Sequence, residues 1–321
     1  MASTHNNNNI LLLISILIFS VISDGNGLSM NHYENSCPEV ETIVENVVKK
    51  AYMKDNTISA ALLHMQFHDC FIRGCDGSVL LSSKGSKKAE RDGPPSVTLR
   101  SFDVIHNAKQ RVETLCPGVV SCADILAFAT RDAIVLAGGA RWEVPKGRKD
   151  GRISKASDTS TLPAPSFNIS QLQHNFFLRG LSLTDVVALS GAHTLGFAHC
   201  SSFENRIRNF SSTQDIDPTM NPTFAGHLRG HCPTNKKDKN AGVRMDPSST
   251  TFDNTYFKLI IQRKALLSSD YQLLTTTGTK RLVYKFATSK KAFSMAFVKS
   301  MIKMTSITGG QEIRRDCRVV N

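Results

Sequence analysis

No two of the eight cysteines stand in the C-x2-C spacing that structural zinc sites favour, so a small zinc-stapled fold is excluded. Long apolar runs are equally scarce. The one present, Ile10–Ile22 (ILLLISILIFSVI), is too short to span a bilayer comfortably, and no second one follows, which predicts a soluble mature protein with no membrane association. Small and turn-forming residues (SDGNGLS) come next, so this run reads as the core of a secretory signal although no Lys or Arg precedes it. Residues 1–27 are therefore assigned to a signal peptide, with cleavage between about residues 23 and 28. Alternating strand patterns are rare, and neither an internal repeat nor a low-complexity linker occurs, so residues 28–321 read as one mainly α domain. Acidic residues are the minority charge: 27 Asp and Glu against 39 Lys and Arg give a net charge of +12 and a pI near 9.4. The basic residues are scattered, and the single dense run (KKDK, Lys236–Lys239) sits among Asn and Thr. An ordinary solvated basic surface fits this better than a nucleic-acid-binding stripe, with retention on polyanionic pectin as a possible consequence of the charge.

Secretion changes the meaning of the cysteines. All eight lie beyond the leader, and an even number in an oxidising compartment predicts four disulfides whose pairing the residues alone leave open. N-x-S sequons at Asn168 and Asn209 suit a glycosylated extracellular surface. Helix signals dominate the rest. Ser36-Cys-Pro-Glu39 has the form of a capping box ahead of Val40, Ile43, Val44, Val47 and Val48. Ser121-x-x-Asp124 opens a run that Gly138-Gly139 ends, and Ser182-x-x-Asp185 opens one stopped by Gly191. Further helical periods cover Phe102–Val112, Phe252–Gln262 and Ala292–Met304. Pro and Gly mark loops at Asp92–Ser96, Pro145–Gly151 and Pro163–Pro165.

The chemistry concentrates in Ala61–Ser78, ALLHMQFHDCFIRGCDGS. His64 and His68 are one helical turn apart and share a face, as a metal pair would. The zinc-protease pattern, however, needs Glu directly after the first histidine to act as base; this chain has Met65 there, and no third ligand is evident nearby. After His68, the oxygens of Asp69, Asp76 and Ser78, with Gly74 allowing a backbone turn, suit a hard cation such as Ca²⁺, at a spacing that is not an EF-hand. A bridge between Cys70 and Cys75 would close so short a loop that its main effect would be to hold that loop in shape. A second constellation, DVVALSGAHTLGFAHC (Asp185–Cys200), sets His193 just past a helix. A lone histidine there is structural by default, but with His68 on another helix the two can face each other across a cofactor.

FHDCFIRGCDGSVLL, VSCADILAFATRD, VPKGRKDGR, LPAP, ALSGAHTLGFAHC, TFDNTYF and CRVVN follow in this order. In that series the sequence resembles the class III (plant secretory) haem peroxidases, over essentially the whole chain from Leu28 to Asn321. The resemblance implies a mainly α haem-peroxidase fold, with distal and proximal helical halves enclosing one haem b, and two structural Ca²⁺ ions. It implies the disulfides Cys37–Cys116, Cys70–Cys75, Cys122–Cys317 and Cys200–Cys232. It makes His68 the distal base, His193 the iron ligand, Asp270 the acceptor for the other nitrogen of His193, and Phe67 the aromatic at the distal haem edge. Asp69, Ile72, Gly74, Asp76 and Ser78 match the distal calcium site, Ile72 and Gly74 through their carbonyls. Thr194, Asp246, Ser249, Thr251 and Asp253 match the proximal one, in a segment one residue shorter than is usual in the family. Pro163 matches the rim of the aromatic-donor site. The implied activity is oxidation of phenolic donors by hydrogen peroxide in the apoplast, lignin or related wall phenolics by analogy, by a monomer; the chain stops directly after CRVV, without a tail that would send it to a vacuole.

Two positions depart from the family. The distal arginine, four residues before the distal histidine, is His64, and the PPN asparagine is Ser96 in Pro94-Pro95-Ser96. The arginine stabilises negative charge developing on peroxide, and the asparagine fixes the tautomer of the distal histidine. Glu90, which supports the link from there to the distal calcium site, is retained. The expectation is a peroxidase with a weakened first step, in which a protonated His64 replaces part of the guanidinium in an acidic wall and His64 and His68 titrate as a coupled pair. The competing reading is a haem-binding wall protein with little peroxidase turnover.

Overall fold

The computed structural model describes residues 27–234 and 240–321; the signal segment and the KKDK run lie outside the described residues. Four helices form the N-terminal half: α1 (Val40–Lys54), α2 (Ile58–Arg73), α3 (Phe102–Leu115) and α4 (Cys122–Leu136). Helix α1 buries Val40, Val44 and Val48, the i, i+4 stripe that its sequence encodes. The capping box expected at Ser36–Glu39 does not form: α1 starts at Val40 without a side-chain cap. Its entry is instead fixed by buried Cys37, bonded to Cys116 just past the end of α3, so a covalent tie does what a cap would have done. Helix α4 does begin as its sequence indicates, with the Ser121 hydroxyl accepting the Asp124 N–H, and it is buried on every side from Cys122 to Ile134. It is therefore a central strut, and α2 packs along it through Leu62, Met65 and neighbouring buried residues.

The second half holds α5 (Ile169–Phe177), α6 (Leu183–Ser190), α7 (Glu204–Ile207), α8 (Pro222–His231), α9 (Thr255–Ile261), α10 (Ser268–Gln272), α11 (Thr277–Thr288) and α12 (Lys290–Thr305). Capping boxes open α5 and α6, from Asn168 with Gln171 and from Ser182 with Asp185. Helix α9 begins three residues after the predicted Phe252. Phe252 donates its N–H to the Ala137 carbonyl, and the Asp253 carboxylate accepts the Thr255 N–H, so these residues end a loop and do not begin a helix. The strands β1 (Phe197–His199) and β2 (Gly242–Arg244) pair antiparallel, with Phe197 opposite Arg244.

The main apolar core runs through both halves, from Val44, Leu62, Phe71 and Phe128 to Phe257, Phe286, Phe293 and Phe297. A smaller cluster of Phe203, Ile207, Met220 and Leu228 lies under the β1–β2 pair. The cysteines pair as Cys37–Cys116, Cys70–Cys75, Cys122–Cys317 and Cys200–Cys232. The Asp150 carboxylate accepts N–H groups from Cys122, Ala123 and Arg314, which binds the C-terminal segment to the first turn of α4. Among the described residues, no helix is long and apolar enough to cross a membrane.

Candidate active site

Helix α2 presents His64 and His68 on one face, their rings edge-to-face with centroids 4.4 Å apart. Phe67 stands beside His68, with ring centroids 5.5 Å apart, and packs on Phe71. His68 is buried, and its Nδ1 lies 3.0 Å from the Ser96 hydroxyl. Ser96 reaches His68 without an intervening water because a tight turn, closed by Ser96 N–H donating to the Gly93 carbonyl at 2.8 Å, carries it down onto the helix. An amide carbonyl at this place would only accept. A hydroxyl both donates and accepts, so Ser96 supports either tautomer of His68 and does not by itself reserve the Nε2 lone pair.

His64 presents its ring to open space, yet the surrounding protein desolvates it and pushes its pKa down to about 4, with the charge of His193 adding to the effect. A ring that is accessible and yet enclosed lines a deep cleft. Burial, and then the charge of His64, also hold His68 well below the usual imidazole range. Protonation of His64 is thus pushed toward acid conditions, below the ordinary imidazole range. The reason is that surrounding protein atoms replace part of the solvation a cation needs.

On the other side, His193 sits in the tight turn Gly191–Thr194 that follows α6. Its Nδ1–H donates to Asp270 Oδ1 at 2.8 Å. Burial alone would depress this ring, but the charge of Asp270 and its hydrogen bond raise the pKa instead. Asp270 is buried in α10, where Oδ2 accepts the Leu267 N–H and Oδ1 accepts a second donor, the Tyr256 hydroxyl, at 2.9 Å. Tyr256 was not singled out by the sequence: inside TFDNTYF it reads as one more apolar-face residue of α9.

The family pattern described as Peroxidase matches residues 44–289. The chain is 59% identical to Peroxidase 64 of Arabidopsis thaliana, over 98% of this chain and 99% of the relative. It is 48% identical to Peroxidase 66 of the same plant, over 96% and 98%, and 43% identical to Peroxidase 1 of Oryza sativa subsp. japonica, over 97% and 98%. The chain belongs to the class III plant peroxidase family. It is accordingly a donor:hydrogen-peroxide oxidoreductase of a secreted family of haem enzymes. The cleft fits that cofactor. Nδ1 of His193 and Nδ1 of His68 are both occupied, whereas neither Nε2 has a hydrogen-bond partner among the described residues, and an imidazole Nε2 backed by a carboxylate is the donor that haem iron takes.

Two oxygen-rich clusters flank this peroxidase site. Beyond α2, Asp69 accepts N–H groups from Gly77 and Val79, Asp76 accepts that of Ser78, and the Ser78 hydroxyl donates to Glu90 at 3.1 Å. Burial and mutual repulsion raise Asp69 well above the carboxylate range and bring Glu90 to about 9; burial also raises Asp76. The α2 terminus turns at Gly74, whose φ of 88° requires glycine; Ile72 lies in the last turn before it. Beyond His193, the Thr194 hydroxyl lies 2.7 Å from Asp246 and 3.2 Å from Asp253. The hydroxyl that joins them is that of Ser248, 3.1 Å from Asp246, one residue before the predicted Ser249. Ser249 uses its carbonyl to accept the Gly196 N–H, and Thr251 is exposed with its N–H donated to the Ser248 carbonyl.

Pro163 lies, half-buried, in the loop after the tight turn Ala156–Thr161. Both sequon asparagines are exposed, Asn168 as the cap of α5 and Asn209 in a turn with φ of 50°.

Proposed function

We propose that the chain is a secreted, monomeric haem b peroxidase of the plant cell wall whose peroxide-activating step is attenuated. The signal peptide comprises residues 1–27 and a single haem peroxidase domain occupies residues 28–321. The observation that carries this reading is the pair of backed imidazoles, His68 on Ser96 and His193 on Asp270, each with Nε2 left for the cleft. When bound, haem supplies the redox chemistry that couples peroxide reduction to donor oxidation. His193 would ligate the iron, and Asp270, by accepting the hydrogen bond from Nδ1–H, would give that imidazole more anionic character and make it a stronger donor. His68 takes a proton from peroxide and returns it to the departing oxygen, and Phe67 restricts the haem edge. His64 offers a neutral N–H where the family has a fixed cation, so negative charge on the reacting oxygen is less well stabilised.

Calcium is the second element of the proposal. Among the described residues, no three His, Cys, Asp or Glu side chains form a metal cluster, so each ion would draw on hydroxyl and carbonyl oxygens as well. Asp69, Asp76 and Ser78 with the carbonyls of Ile72 and Gly74 hold one; Thr194, Asp246, Ser248 and Asp253 with carbonyls of the 249–251 segment hold the other. The carboxyls raised by mutual repulsion on the distal side support a cation there. Phenolic donors enter by the rim at Pro163, and glycans occupy Asn168 and Asn209. Wall retention on pectin is supported by the net charge of +12. Elution of the protein from wall fragments by salt tests that part.

The depressed His64 specifically favours a second reading, a haem-binding wall protein with little turnover. Stopped-flow mixing of the haem- and calcium-loaded protein with hydrogen peroxide over pH 4 to 8 separates the two. A slow but measurable reaction that turns over a phenol supports the peroxidase. Haem binding with no phenol oxidation at any pH supports the alternative, and a protein that takes up no haem overturns both.

A further inference from the structure

Asp270 Oδ1 carries two donors at nearly equal lengths, Nδ1–H of His193 at 2.8 Å and O–H of Tyr256 at 2.9 Å. Among the described residues, the opposite oxygen accepts the Leu267 N–H alone, at 3.2 Å. Tyr256 is 2% exposed and its ring stands edge-on to that of His193, with centroids 5.7 Å apart, so its hydroxyl has no access to bulk water as a substitute partner. A carboxylate oxygen has lone pairs for both donors, but each draws on the same negative charge. What Tyr256 takes, His193 does not receive.

We propose that Tyr256 is a positioning residue that sets the donor strength of His193: by sharing Asp270 Oδ1 it pins the carboxylate and limits how much imidazolate character His193 acquires. This rests on the reading of His193 as the iron ligand. The partner of a ligating histidine tunes the metal, and a competing donor on that partner tunes it in the opposite sense. Removing the phenol O–H therefore strengthens the His193–Asp270 bond, makes the imidazole more anionic and favours the oxidised metal.

The test uses the haem-loaded full chain in four forms: wild type, Tyr256→Phe, Asp270→Asn and the double variant. Resonance Raman spectra of the ferrous proteins give the iron–imidazole stretch, and redox titration gives the potential. In Tyr256→Phe the stretch moves up and the potential moves down; in the Asp270→Asn background, where the shared acceptor is a neutral amide oxygen, the same substitution moves both by much less. No shift in Tyr256→Phe, or equal shifts in both backgrounds, overturns the proposal, because a packing effect would not depend on the carboxylate. Should Tyr256→Phe fold poorly, 3-fluorotyrosine at position 256 retains the shape with a more acidic hydroxyl, and the two readouts must then move the opposite way. Absence of a Soret band in the wild type overturns the haem reading and this one together, whereas a normal Soret band with an unmoved stretch overturns this one alone.

Discussion

At the scale of single residues, the distal side is governed by two exchanges of chemical type. An arginine is charged at every accessible pH; His64, with its pKa at about 4, is neutral from alkaline conditions down to strongly acid ones. His64→Arg should accelerate peroxide activation at neutral pH by on the order of 10²–10³, the usual worth of one preorganised donor at a developing oxyanion. Pre-steady-state rates that are equal in the two proteins would contradict this. The sign of the pH dependence follows from the same value: a depressed imidazole becomes a cation only below its folded pKa, so the wild-type rate gains nothing from His64 until pH approaches about 4. Ser96 makes a separate point. Its contact with His68 is direct at 3.0 Å, but its hydroxyl is ambivalent. Ser96→Asn, which restores an oxygen that only accepts, should raise the rate, and Ser96→Ala should lower it about tenfold, the worth of one net hydrogen bond. Stopped-flow rates at one neutral pH decide both directions.

At the scale of elements, α2 and the loop behind it form one device, since the helix that aims His64 and His68 ends in the acidic turn of Asp69, Asp76 and Ser78. Motif order made this device legible in the sequence, and capping signals placed α4 and α6 correctly, because Ser121 and Ser182 satisfy N–H groups within their own turn. Long-range competition was not legible. The local pattern at Ser36–Glu39 is a capping box, but the Cys37–Cys116 bond dictates the geometry; the pattern at Phe252 is helical, but a distant carbonyl and the oxygen cluster around Thr194 claim Phe252 and Asp253 first. Tyr256 shares that fault, since it acquires its partner, Asp270, from another helix. The acidic turn also yields a prediction. Glu90 rises to about 9 from the ordinary glutamate value of 4.5, so between those values the unfolded chain has lost a proton that the calcium-free fold retains. Stability of the calcium-free protein is then present at low pH and lost as pH rises through this window. Bound calcium cancels the repulsion, so thermal melts with chelator should fall with rising pH and melts with excess calcium should not. Parallel curves would argue against a cation at Asp69, Asp76 and Ser78.

At the scale of the whole molecule, the question is what keeps the two helical halves registered so that the histidines of one meet the histidine of the other. Apolar packing is continuous across them, and the C-terminal segment closes the structure by returning to α4, where Asp150 accepts N–H groups from both the helix start and Arg314. Cys122–Cys317 adds a covalent link at this place, across 195 residues, whereas Cys70–Cys75 spans only 5. In the chain-entropy account the long closure restrains the unfolded state by about 5 kcal/mol and the short one by about 2 kcal/mol. Native contacts around Asp150 persist without the sulfur bond, so its loss should act mainly on the unfolded chain. Replacing Cys122 and Cys317 together by serine should lower the denaturation midpoint markedly while leaving the haem spectrum of the folded protein unchanged. Replacing Cys70 and Cys75 should do the reverse, costing less global stability but loosening the turn that holds Asp76 and Ser78, with weaker calcium retention as the readout. Denaturant melts and calcium titrations on the two double variants compare them directly, and the opposite order of midpoints would show that local packing at the α2 terminus, and not closure of the long loop, stabilises the fold.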